Sequence, residues 1–76
     1  MIENRLDILI HKWEMGHRQR LTHEALAQET GLARATIVAW RYGYVTRFDA
    51  KVLEALCSFF GIQPGDLLVY DSNGQN

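Results

Sequence analysis

The chain has 76 residues, 47% of them hydrophobic, with eight Lys and Arg against nine Asp and Glu for a net charge of −1. A chain of this length builds one small core and hides only about 60% of its extended surface on folding, which excludes a two-domain enzyme. Its single cysteine, Cys57, excludes an internal disulfide, and the charge balance runs against the excess of Lys and Arg usual in nucleic-acid-binding domains.

Glu3, Arg5, Asp7, Lys12 and Glu14 interrupt the first 20 residues and leave no apolar stretch for a signal peptide or a membrane span. The expectation is a cytoplasmic chain with no membrane partner. Ile2, Leu6, Leu9, Ile10 and Trp13 recur at three- and four-residue intervals, which predicts an opening amphipathic helix that stops near Gly16. A second helix follows, capped by Thr22, with Glu24 in the first turn, Leu26 and Ala27 on its apolar face, and Gly31 at its end.

Ile37 and Trp40 share one face of a short third helix over about residues 34–42, which Gly43 stops. Asp49 caps a fourth, carrying Val52, Leu53, Leu56, Cys57 and Phe60 as far as Gly61. Pro64 opens a last short helix that turns Leu67 and Leu68 inward. No segment alternates with period two for long enough to predict a strand, and the polar tail over residues 71–76 is expected to fray. The expected fold is all-α, five helices in one domain over residues 1–70.

One stretch is more specific than helical periodicity. Between Leu21 and Trp40, Ala27 lies four residues before Gly31, Ile37 six after it, and Trp40 three beyond that. Two short helices that cross steeply through a tight turn need a small residue under the crossing, as Ala27 is, and a positive φ in the turn, which Gly31 supplies. Leu26, Leu32, Ile37 and Trp40 then close the wedge, leaving the start and outer face of the third helix to project.

With this spacing, the phrase Leu21-Thr22 through Gly31, the segment Thr36-Ile37 to Trp40 with Gly43, and the ending Leu53-Glu54-Ala55-Leu56-Cys57 to Pro64-Gly65-Asp66-Leu67-Leu68, the chain resembles the small Cro/C1-type helix-turn-helix repressor domains of phages and bacteria, also called the xenobiotic response element type. The resemblance covers nearly everything from Ile2 to Tyr70. It implies a lambda-repressor-like, five-helix transcriptional regulator whose partner is double-stranded DNA, with the third helix in the major groove.

Position by position, the resemblance implies base reading by Arg34, Ala35, Val38 and Ala39, with Arg34 foremost because a guanidinium can bond bidentately to guanine O6 and N7. It implies phosphate contacts by Thr22 and His23 at the start of the second helix, and by Arg41, Tyr42, Tyr44, Thr46 and Arg47 at and after the end of the third. Four positions depart from the family pattern. His23 stands where a Gln is frequent, Ala33 stands where a Ser or Thr would cap the third helix, and Val38 and Ala39 are apolar where polar or basic residues are common.

Other chemistry finds little support. His11, His17 and His23 are six apart, so no two share a helical face at the spacing a metal uses, and neither a metal nor any other cofactor is expected. Cys57 reads as a small buried hydrophobe, Trp13 and Trp40 read as core, and Tyr42 and Tyr44 stay open between packing and phosphate contact. Glu24 and Glu29 lie on exposed helix, so no enzyme is expected. Val38, Ala39 and Tyr42 also fit a second function, a protein-interaction or antitoxin-like module that grips a protein partner. Leu68, Val69 and Tyr70 leave open whether they form the patch of a homodimer or finish the monomer core.

The net charge conceals a division. Residues 1–16 sum to −1 and residues 52–76 to −3, whereas residues 17–51, which contain the proposed reading helix and its flanking loops, sum to +3. An acidic back and a basic front would orient the domain towards DNA while limiting non-specific attachment.

Overall fold

The computed structural model describes residues 2–70 and Ser72, so most of the polar tail expected over 71–76 lies outside the described residues. Five helices follow in order, α1 (Leu6–His17), α2 (His23–Thr30), α3 (Arg34–Arg41), α4 (Ala50–Phe60) and α5 (Pro64–Leu67). Two three-residue strands flank them, β1 (Ile2–Asn4) and β2 (Leu68–Tyr70). The all-α, five-helix expectation therefore holds, with a small ribbon added. None of these helices is long and apolar enough to cross a membrane.

The ribbon corrects the start of the first helix. Ile2 pairs with Tyr70, Glu3 with Val69 and Asn4 with Leu68 in antiparallel register, and the Arg5 amide donates to the Leu67 carbonyl at 2.8 Å. The Asn4 side chain then caps the turn into α1, its Oδ1 accepting the Leu6 amide at 2.9 Å. Ile2 stands four residues before Leu6, so helical spacing and a preceding strand look alike at this one position. Of Leu68 to Tyr70, left open between dimer patch and core, all three pair through the backbone with β1, and Leu68 packs against the core.

The end of α1 also differs. Gly16 lies inside the helix, because one turn beyond Trp13 the His17 ring stacks on the indole at 4.0 Å between centroids and its Nδ1 donates to the Trp13 carbonyl at 2.9 Å. That two-residue extension passes the left-handed position to Arg18, at φ 52°. A side chain with a Cβ costs about 1–2 kcal/mol there. Arg18→Gly is therefore expected to raise the melting temperature by several degrees, read by circular dichroism.

The remaining ends follow local rules. Thr22 Oγ1 accepts the Ala25 amide at 3.0 Å, Asp49 Oδ1 accepts the Lys51 amide at 2.8 Å, and Pro64 opens α5. Gly31, at φ 73°, closes α2 with its amide on the Ala27 carbonyl, in the turn that sends α3 across it. Leu6, Ile10, Leu21, Leu26, Ile37, Trp40, Leu56 and Leu67 form the core, so every helix contributes. Trp13, Ala27 and Leu32 are half-buried against it, and so is Cys57, half-buried in α4.

Candidate nucleic-acid interface

The wedge expected between α2 and α3 is present, with Leu26, Ile37 and Trp40 buried in it and Leu32 packed on its edge. Its α3 end is pinned from outside. Asn4 Nδ2 donates to the Trp40 carbonyl at 2.6 Å, so the strand β1 holds the last turn of α3. The first turn of α3 has no side-chain cap at Ala33, as its sequence requires, and leaves end amides without an acceptor from that residue.

Of the four base-reading candidates, Arg34 and Ala35 are exposed, while Val38 and Ala39 are half-buried. The Arg34 side chain keeps 58% of its surface in water, and its Nε donates to Glu24 Oε1 at 2.9 Å. Sequence reading assigned Glu24 only a favourable place at the positive end of α2. The structure makes it also the partner that aligns Arg34, ten residues on.

The phosphate-contact candidates divide into two groups. Thr22, His23 and Arg41 line one polar cleft of about 260 Å³, together with Arg20, Arg34 and His11 and with Glu14 and Glu24. Tyr44, Thr46 and Arg47 stand exposed on the loop after α3 and do not line that cleft. Tyr42 joins the two groups. Its exposed ring meets His23 edge-on at 6.1 Å and lies 5.6 Å beneath the Arg41 guanidinium.

Arg41 is the candidate most altered by its surroundings. Only 16% of its side chain is exposed, and its Nε donates to Asp7 Oδ1 at 2.7 Å. Its two terminal nitrogens approach the rings of His23, at 3.1 Å, and His11, at 3.4 Å. Burial, followed by the Arg41 and Arg34 charges, depresses the pKa of His23 below its ordinary 6.5, against a smaller opposing pull from Glu24. At neutral pH the ring is uncharged.

Sequence reasoning missed Asp7 and His11 as members of this site. One weak signal existed, their i, i+4 spacing on the polar face of α1, which brings His11 Nδ1 to 3.8 Å from Asp7 Oδ2. That spacing is common on solvated helices and does not name Arg41 as the third member.

The arrangement is suited to a polyanion rather than to covalent chemistry. Arginines, the neutral His23 ring, a threonine hydroxyl and the amide ends of α2 and α3 are all donors, and with Glu14 and Glu24 between them they gather around the helix that projects from the wedge. No curated protein matches the chain. The family model for the Cro/C1-type helix-turn-helix DNA-binding domain, however, matches residues 13–73, from the middle of α1 past the end of β2. With the wedge, the turn at Gly31 and the projecting third helix in place, the chain belongs to the Cro/C1-type helix-turn-helix DNA-binding domains.

Proposed function

We propose that the domain is a sequence-specific transcriptional regulator, most simply a repressor that occludes promoter DNA, and that α3 enters the major groove with Arg34 reading bases. The observation that carries this reading is the exposed Arg34 at the open end of α3, beside a polar cleft at the start of α2 in which three arginines outnumber two glutamates. Arg34 must leave or share Glu24 to reach a base. An exposed ion pair of this kind is worth roughly 0.2–1 kcal/mol, whereas a bidentate arginine–guanine pair is worth about 1–3 kcal/mol, so guanine wins the exchange.

Thr22 and His23 contact one phosphate, the uncapped amides at Ala33 favour an anion, and Tyr42, Tyr44, Thr46 and Arg47 contact the backbone from the loop. Arg41 supports this surface from beneath. Ala35, Val38 and Ala39 offer methyl groups to thymines. Two copies on half-sites about 34 Å apart would reinforce a contact set this small. The working unit is residues 1–70, acting in the cytoplasm.

Selection of bound sites from a random double-stranded DNA library, with affinity measured at low and moderate salt, tests the reading. Affinity is expected to fall steeply as salt rises, because each phosphate contact releases counterions. Arg47→Ala is expected to weaken all sequences about equally and to lower the salt slope by about one. No binding even at low salt would overturn the reading in favour of the protein-interaction module, which the exposed Tyr42 and the half-buried Val38 would then serve.

A further inference from the structure

Arg41 Nε donates to Asp7 of α1, Nη1 lies 3.1 Å from His23 Nε2 at the start of α2, and Nη2 lies 3.4 Å from His11 Nε2. A guanidinium has five N–H groups and no acceptor. The His23 nitrogen that faces it must therefore be the bare, accepting one. His23 is then a neutral ring with its proton on Nδ1, while His11 Nδ1 lies 3.8 Å from Asp7 Oδ2.

The surroundings agree with this assignment from every side. On α3, Arg41 and Arg34 oppose positive charge at His23, and Tyr42 meets the ring edge-on. On α2, Glu24 favours positive charge, but less strongly than burial and the arginines oppose it. Asp7, His11 and Glu14 approach from α1 and Arg20 from the loop before α2, with Asp7 already taken by Arg41. Among the described residues, Nδ1 of His23 has no hydrogen-bond partner.

We propose that Asp7 is a positioning residue for DNA binding: through Arg41 it holds His23 neutral, with Nδ1–H directed to a backbone phosphate, so that binding takes up no proton at this ring. The proposal rests on the DNA-binding reading above. A phosphate set against an unconstrained imidazole draws a proton onto the ring. Here the second nitrogen is occupied by an arginine N–H, and a proton could enter only by breaking that contact. Asp7 matters because its bond to Nε anchors Arg41 with Nη1 against His23.

Two measurements test this on the full chain. Nitrogen-15 NMR of the DNA-free protein at pH 7 reads which His23 nitrogen is protonated, and DNA affinity between pH 5.5 and 8 reads proton uptake. The wild type is expected to show the Nδ1–H tautomer and the same pH profile as His23→Gln, whose amide also donates. Asp7→Asn is expected to shift the ring towards Nε2–H and to make affinity rise as pH falls, by up to about tenfold per pH unit for one proton. The double variant Asp7→Asn with His23→Gln should lose that added slope.

An Nε2–H or doubly protonated His23 in the wild type overturns the proposal, as does a wild-type pH slope equal to that of Asp7→Asn. Should Asp7→Asn fail to fold, the wild-type tautomer and its comparison with His23→Gln decide alone. Absence of DNA binding by the wild type overturns the functional reading and the phosphate contact with it. The tautomer, read without DNA, shows whether the Arg41 contact itself has also failed.

Discussion

Truncating Leu26 to alanine is expected to remove 2–5 kcal/mol of stability, about the cost of losing a fully buried leucine. A domain of 76 residues has roughly 4–11 kcal/mol in total. A single substitution therefore removes a large share of the stability, and all of it at the lower end of that range. Leu26 has no exposed surface, and with Ile37 and Trp40 it fills the wedge between α2 and α3, where a lost side chain leaves a cavity that the tight turn at Gly31 gives little freedom to close. Urea denaturation would read the change as a lower midpoint at an unchanged slope. A midpoint within experimental error of the wild type would show that the wedge does not hold the domain together.

The second large effect concerns recognition with the fold intact. Arg34→Ala is expected to lower affinity for the selected site by about 5- to 150-fold, which corresponds to the 1–3 kcal/mol of a bidentate contact with guanine, and to flatten the preference at one base pair. Stability should barely change, since Arg34 is exposed and its pairing with Glu24 is solvated. Fluorescence anisotropy on the selected site and on single-base variants separates the two components. A uniform loss across sequences, with a reduced salt slope, would make Arg34 a phosphate contact like Arg47 and reverse the assigned roles.

Much of the architecture is legible because its rules are local. Thr22, Gly31, Asp49, Gly61 and Pro64 each end or begin a helix through a bond or a backbone angle that the residue itself supplies. The wedge is legible for a similar reason, since Ala27, Gly31, Ile37 and Trp40 have fixed offsets imposed by a tight turn. Ile2 fails this logic, because a three-residue strand is too short to show a period of its own and its partner lies at the far end of the chain. Gly16 fails it because the deciding contact, His17 on Trp13, outweighs the glycine's preference.

The site was legible as a face and not as a set of partners. Arg34, Thr22 and His23 could be placed through the family resemblance, once Gly31 had set the register. The pairing of Arg41 with Asp7 spans 34 positions and follows no sequence spacing, so a residue assigned to the phosphate surface is in fact held largely from within. Charge counting over blocks could locate the basic region. It could not say which of its arginines were already neutralised by a neighbour.

The ribbon sets an order of events during synthesis. Asn4 emerges from the ribosome long before Leu68, its strand partner, so its hold on the Trp40 carbonyl lacks support until after all five helices have been made. A nascent chain stalled before β2 lacks the strand that holds Asn4 against the final turn of α3. The clamp on the final turn of α3 is thus complete only once β2 has been made, so the two ends of the chain jointly fix a helix that lies at its centre.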